Sequence, residues 1–165
     1  MIEYKKGNMF EERVDALVNA VNCVGAMGRG VALQFKKRFP ANFAAYKRRC
    51  KTGRITPGHL FVYKNSLTTC PRYIINFPTK RHFAESSKIV DIENGLLDLA
   101  EVIDMHHIKS LAMPAVGCGL GGLRWSEIKP MINNALGDLG NVRIIVYEPL
   151  TAEEGMSQLW RVGNL

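Results

Sequence analysis

Apolar positions along the chain fall into two spacings. Short, nearly continuous apolar runs at Ile2–Lys5, Asp15–Asn19, Leu60–Lys64, Tyr73–Phe77, Ser110–Met113 and Val142–Tyr147 predict strands, and the most apolar of them read as strands buried on both faces. Between them the spacing turns helical. Arg29–Phe39 predicts a helix with Val31, Leu33 and Phe35 for packing. Pro40 stops it and opens another over Ala41–Lys51. Ile89, Ile92, Leu96, Leu99, Val102 and Ile103 mark a long helix ending near His106, with Ser86 or Ser87 as the expected cap. Ser126 is the expected cap of a last helix to about Leu136. A turn is expected near Ser66–Pro71. Helices alternating with fully buried strands imply a three-layer α/β/α fold, whose ligands sit beyond the carboxyl ends of the strands.

Composition narrows the class. The chain has 165 residues, the size of one domain. At 47% hydrophobic and 22% charged it has the composition of a soluble globular protein, not of a disordered chain. No apolar run approaches the ~18 residues of a membrane span, so no membrane association is expected. The amino terminus lacks the apolar stretch of a signal peptide. Cys23, Cys50, Cys70 and Cys118 form no Cys-x-x-Cys pair and have no histidines at zinc spacing. They read as reduced thiols of a cytoplasmic protein without a metal site. Residues 1–150 are expected to form the domain, and 151–165 a tail or linker leading to a further domain.

Charge changes the picture more. The net charge is +7, but residues 16–84 contain no Asp or Glu and 13 Lys or Arg. The remainder holds 9 basic and 15 acidic residues, a balance of −6. A basic block of this kind repels itself unless something anionic offsets it, which points to nucleic acid, a pyrophosphate ligand or both.

Three loops carry candidate chemistry. In the first, Val18–Ala32, a buried strand runs through Asn19 and Asn22 into Gly25, Gly28 and Gly30 and then a helix. Glycines permit close backbone approach, and the helix start supplies unpaired N–H groups, so the segment suits a phosphate or diphosphate. The two asparagines can offer amides to sugar hydroxyls. The second loop, Met113–Leu123, also joins a strand to a helix and formally fits G-x-G-x-x-G at Gly117, Gly119 and Gly122. It comes too late in the chain, and without the expected acidic partner, to be a dinucleotide fingerprint. No Walker sequence occurs. The third loop, Asn76–Phe83, ends a strand at Pro78 and places Lys80 beside Arg81 and His82. A lysine can attack a carbonyl carbon as a neutral amine; it can equally be a solvated member of a basic loop.

The opening strand with Gly7-Asn8-Met9-Phe10, then Asp15–Asn22, Asn76-Phe77-Pro78-Thr79-Lys80 and Gly117-Cys-Gly-Leu-Gly-Gly-Leu-Arg-Trp125, together resemble the macrodomains. The last two segments are similar to the branch containing the terminal ADP-ribose protein glycohydrolase and the bacterial DNA ADP-ribosyl glycohydrolase antitoxins. The resemblance implies a mixed, mostly parallel central sheet and an ADP-ribose ligand. It implies a glycohydrolase that removes ADP-ribose from DNA, thymidine in a single strand, with a cognate toxin as partner and no cofactor. A non-catalytic ADP-ribose-binding module and a hydrolase of protein-linked ADP-ribose are the alternatives. By the same resemblance Asn8 and Met9 contact the adenine end, and Ala20, Val21 and Asn22 line the distal ribose. Gly30, Val31 and Leu33 meet the diphosphate and cleft wall, while Thr79 and Lys80 lie at the scissile end. Gly117, Cys118, Gly119, Leu120 and Gly121 wrap the diphosphate, and Lys80 is the catalytic lysine. Protein-directed enzymes of the branch carry an Asp where this chain has Gly121. Lys80 therefore acts either by attacking C1″ of an opened ribose or by hydrogen-bonding the ribose or leaving base.

Overall fold

The computed structural model describes residues 1–154, 156 and 157. Six strands form one sheet: β1 (Ile2–Lys5), β2 (Ala16–Val21), β3 (Phe61–Lys64), β4 (Tyr73–Pro78), β5 (Ser110–Pro114) and β6 (Arg143–Tyr147). Their order is β1-β6-β5-β2-β4-β3. All pairs are parallel except β3 with β4. The helices are α1 (Gly30–Arg38), α2 (Pro40–Lys51), α3 (Ile89–Met105) and α4 (Trp125–Leu136). From β2 the chain passes over α1 and α2 to the edge strand β3, turns back through β4 beside β2, then crosses over α3 to β5 on the other side of β2. The carboxyl end of β2 thus lies where the direction of strand succession reverses, the place where open α/β sheets hold ligands.

Core packing follows from strands apolar on both faces. One face carries Val18, Ile75, Phe77, Leu111, Met113 and Ile144 against α3 and α4. The other carries Leu17, Ile74, Ala112 and Ile145 against Phe35 of α1 and the buried Met9. This gives the three layers expected. α3 buries Ile92, Leu96, Leu99, Val102 and Ile103 at helical spacing, together with Gly95. A Cβ built on Gly95 would stand 2.4 Å from the Phe77 ring, so here the helix backbone itself lies on the sheet.

α2 mixes apolar and basic residues, and besides the apolar packing of Phe43, Ala45 and Tyr46 it is fixed by a polar device. Asn42 and Tyr46, one turn apart, are its buried residues. Asn42 and Asn76 exchange hydrogen bonds of 3.2 and 2.8 Å, and Asn19 Nδ2 donates to Asn76 Oδ1 at 3.3 Å. This ladder pairs buried amides that would otherwise be costly to bury, Asn19 Oδ1 alone lacking a partner among the described residues, and ties α2 to the central strands.

Two expected caps are corrected. Neither Ser86 nor Ser87 caps α3: the N-cap is Lys88, with no side-chain capping bond. Ser87 is buried instead, its N–H donating to the Gly121 carbonyl at 2.9 Å, so packing against the glycine loop has taken precedence. Ser126 lies inside α4, which starts at Trp125 with Arg124 as N-cap. Short 3-10 turns at Met9–Glu11 and Gly119–Gly121 have no counterpart among the expected elements. Of the expected tail, residues 155 and 158–165 lie outside the described residues.

Candidate active site

A cavity of about 890 Å³ opens beyond the carboxyl ends of β2, β4 and β5, in the upper part of the range of small-molecule sites. All three candidate loops contribute to its wall.

The loop after β2 builds the first side. Asn22 is buried and organises it from within: Nδ2 donates to the Ala26 carbonyl at 2.8 Å, and Oδ1 accepts from the Val24 N–H at 3.1 Å and the Tyr46 hydroxyl at 2.7 Å. Tyr46 also donates to the Asn22 carbonyl. The Asn22 amide is thus committed to the loop, and Asn19 to the ladder beneath; neither amide is presented to a sugar. Burial and neighbouring thiols push the Tyr46 phenol well above its ordinary range, so it remains a donor. The loop delivers the start of α1 to the cavity, with Gly30 at φ +56°. Its N-cap is Arg29, which makes no capping bond, and the first turn holds no acidic residue. The first N–H groups of α1 and the helix dipole therefore face the cavity uncompensated, a suitable seat for an anion.

The loop after β5 forms the opposite side. Gly117 (φ +80°) lies so close to Ile92 and Leu123 that a Cβ would approach each within 2.9 Å. Val116, Cys118, Gly121, Gly122 and Leu123 satisfy their N–H groups within the loop. Those of Gly117, Gly119 and Leu120 make no hydrogen bond among the described residues and remain for a ligand. Leu120 reaches toward Gly30, where a Cβ would lie 3.5 Å from its Cδ1. Cys118 lines the cavity as a thiol, its pKa pushed up to about 11 by burial.

The third loop joins the other two. The Thr79 N–H donates to the Val21 carbonyl at 2.9 Å, and the Cys23 N–H to the Arg81 carbonyl at 2.9 Å. Lys80 Nζ donates to the carbonyls of Phe83 at 3.2 Å and Leu120 at 3.3 Å. One amine is thus held between two loops at the mouth of the cavity.

Twelve of the candidate residues line this cavity: Ala20, Val21, Asn22, Gly30, Val31, Thr79, Lys80, Gly117, Cys118, Gly119, Leu120 and Gly121. Three do not. Met9 is packed in the core and Asn8 accepts from the Phe10 N–H at the 3-10 turn. Leu33, on α1, is half-buried outside the lining. Ala26, Gly28, Arg29, Ala32, Phe83, Ala84, Pro114 and Ala115 line the cavity in addition. Most flank candidate positions within the same loops, but Phe83 had its own signal: an aromatic residue in a polar loop, three residues past the lysine.

The lining contains no Asp, Glu or His. At position 121 the reason is steric. A Cβ on Gly121 would stand 2.6 Å from Ser87 Oγ, which is buried and has no hydrogen-bond partner among the described residues. Any side chain there would have to displace the Ser87 hydroxyl.

A family model described as the Macro domain matches residues 18–132. A DNA ADP-ribosyl glycohydrolase of Thermus aquaticus is 47% identical over 150 residues, covering 91% of this chain and 42% of that protein. The structure of the macrodomain of Mycobacterium tuberculosis DarG is similar at a TM-score of 0.88 and 44% identity, over 91% of this chain and 99% of that one. Thermosipho africanus DarTG in complex with ADP-ribose is similar at a TM-score of 0.83 and 36% identity, over 90% of this chain and 42% of that one. The chain spans 42–47% of the length of the first curated relatives.

Proposed function

The chain belongs to the macrodomain family, and we propose that it is a glycohydrolase that removes ADP-ribose from a thymidine of single-stranded DNA, countering a DNA ADP-ribosyltransferase toxin in the cytoplasm. One observation carries the reading: among the described residues Lys80 is the only lysine in a cavity wall that holds no carboxylate, and its amine is held where the loops after β4 and β5 meet. The relatives named for DNA ADP-ribosyl glycohydrolase activity, and the ADP-ribose bound by Thermosipho africanus DarTG, support the substrate.

The diphosphate lies between the start of α1 and the N–H groups of Gly117, Gly119 and Leu120. Ala20, Val21 and Thr79 wall the distal ribose, and its C1″ faces Lys80. Asn8, Met9 and Leu33 take no direct part; Asn22 acts by shaping its loop. With no carboxylate beside it, Lys80 is the group that reacts. The ribose opens as the C1″–O4″ bond breaks and O4″ takes up a proton, leaving C1″ doubly bonded to the base nitrogen as an iminium. The Lys80 amine, having given up a proton, adds to C1″. The C1″–N bond to the base then breaks as the base nitrogen takes up a proton, leaving a Lys80 imine. Water then adds to the resulting imine, restoring the amine and freeing ADP-ribose. Four unpaired cysteines suit a reducing compartment. The acid-free segment favours a polyanionic substrate over a protein-linked one.

The test is release of ADP-ribose from an oligonucleotide carrying thymidine-linked ADP-ribose. The wild type is expected to release it. Lys80→Ala is expected to reduce turnover by at least about 100-fold, the scale of a lost nucleophile, while ADP-ribose still binds. Equal turnover by the two proteins contradicts the assignment. Binding without release by the wild type replaces it with a reader.

A further inference from the structure

Two large apolar side chains stand exposed at the cavity mouth. Phe83 is 59% and Leu120 60% exposed. Among the described Phe, Tyr and Trp residues, Phe83 alone is in the exposed class. Single exposed apolar residues are common and need no function. These two, however, both line the cavity, and their carbonyls are the two acceptors of the Lys80 amine, at 3.2 and 3.3 Å. Whatever group is attached to a carbon that Nζ attacks must lie within a side chain's reach of both.

The Phe83 ring is also braced. His82 packs against it with ring centroids 4.1 Å apart and planes inclined by 34°. The His82 ring is itself held, Nδ1 accepting from the Ala84 N–H at 3.1 Å. Two exposed cations belong to the same surroundings: Arg81 precedes His82 in the loop, and Arg29 is in the cavity wall. An aromatic face with cations beside it is the arrangement by which proteins hold single-stranded nucleic acid, because any base can stack while the phosphates are neutralised. A flexible carboxylate side chain gains nothing from the ring.

We propose that Phe83 and Leu120 form a seat for the nucleobase that leaves C1″, so that the mouth of the cavity selects a planar base as the group from which ADP-ribose is removed. This rests on the glycohydrolase reading and assigns it specificity residues. Phe83 is a positioning residue for the leaving base; Lys80 remains the reacting group.

The experiment is steady-state kinetics of the wild type, Phe83→Ala and Phe83→Trp on the thymidine-linked ADP-ribosylated oligonucleotide, with the affinity of each for free ADP-ribose. Phe83→Ala is expected to lower kcat/KM about 10–100-fold, mainly through KM, with ADP-ribose affinity kept within about twofold and Phe83→Trp restoring most of the loss. Unchanged kcat/KM in Phe83→Ala overturns the seat. So does parallel loss of ADP-ribose affinity, or failure of Phe83→Trp to restore turnover. If the wild type releases nothing, the glycohydrolase reading fails and the seat is judged by binding alone. Phe83→Ala must then weaken binding of the ADP-ribosylated oligonucleotide relative to free ADP-ribose; an unchanged ratio overturns it.

Discussion

At the scale of single residues, chemistry was more legible than geometry. Lys80 stands out in the sequence because a strand ends just before it and a glycine loop follows elsewhere. Nothing in the sequence shows that its amine rests on the Leu120 carbonyl, 40 residues away, as well as on that of Phe83, three residues on. Asn22 was legible as a polar residue at a strand end, but its amide is consumed by its own loop and by Tyr46. Met9, assigned by the resemblance to the adenine end, is buried in the core, which the sequence does not show. Gly121 offers a test at this scale. Its missing side chain is explained by Ser87, whose Oγ lies 2.6 Å from where a Cβ would stand. Gly121→Ala is expected to cost about 1–3 kcal/mol by overpacking. Adding Ser87→Gly is expected to recover most of that, measured by denaturant unfolding as a double-mutant cycle. Additive losses contradict the explanation.

At the scale of elements, all six strands and four helices are legible from apolar spacing together with Pro40 and Ser126, with ends that coincide or differ by up to three residues. The displacements have causes. Pairing of β2 with β4 extends to Val21 and Pro78 because register, not local composition, ends a ladder. Ser87 does not cap α3 because it packs under the loop after β5, and Ser126 does not cap α4 because the helix already starts at Trp125. Placement of elements was less legible: no pattern in α2 announces that Asn42 and Tyr46 would hold a basic helix to the sheet. Gly95 in α3 makes the decisive contact for β4, whose end delivers Lys80. In an open helix, Gly→Ala would gain about 1 kcal/mol. Here the new Cβ meets the fully buried Phe77 ring at 2.4 Å, and overpacking of about 1–3 kcal/mol outweighs that gain. Gly95→Ala is therefore expected to be destabilising by denaturant melt. A stabilised protein would contradict this packing.

At the scale of the whole molecule, the charge asymmetry and the fold address the same substrate. The acid-free segment spans β2 through β4 and the loop bearing Lys80, so the basic residues belong to the elements that build one side of the cavity. Of the segment's 13 cations the fold brings Arg29 and Lys80 into the cavity wall, while Arg72 pairs with Asp15 at the opposite end of the sheet. Among the described residues, no helix is long and apolar enough to cross a membrane, and no cluster of His, Cys, Asp and Glu is placed to hold a metal ion. The proposed chemistry needs neither. The central claim is that this cavity acts on ADP-ribose linked to nucleic acid, and one competition measures it directly. Equal concentrations of thymidine-linked ADP-ribosyl oligonucleotide and glutamate-linked ADP-ribosyl peptide are mixed with the wild-type protein, and the loss of each is followed. The account predicts a ratio of kcat/KM of at least about tenfold in favour of the oligonucleotide. Equal consumption, or faster loss of the peptide, would contradict it.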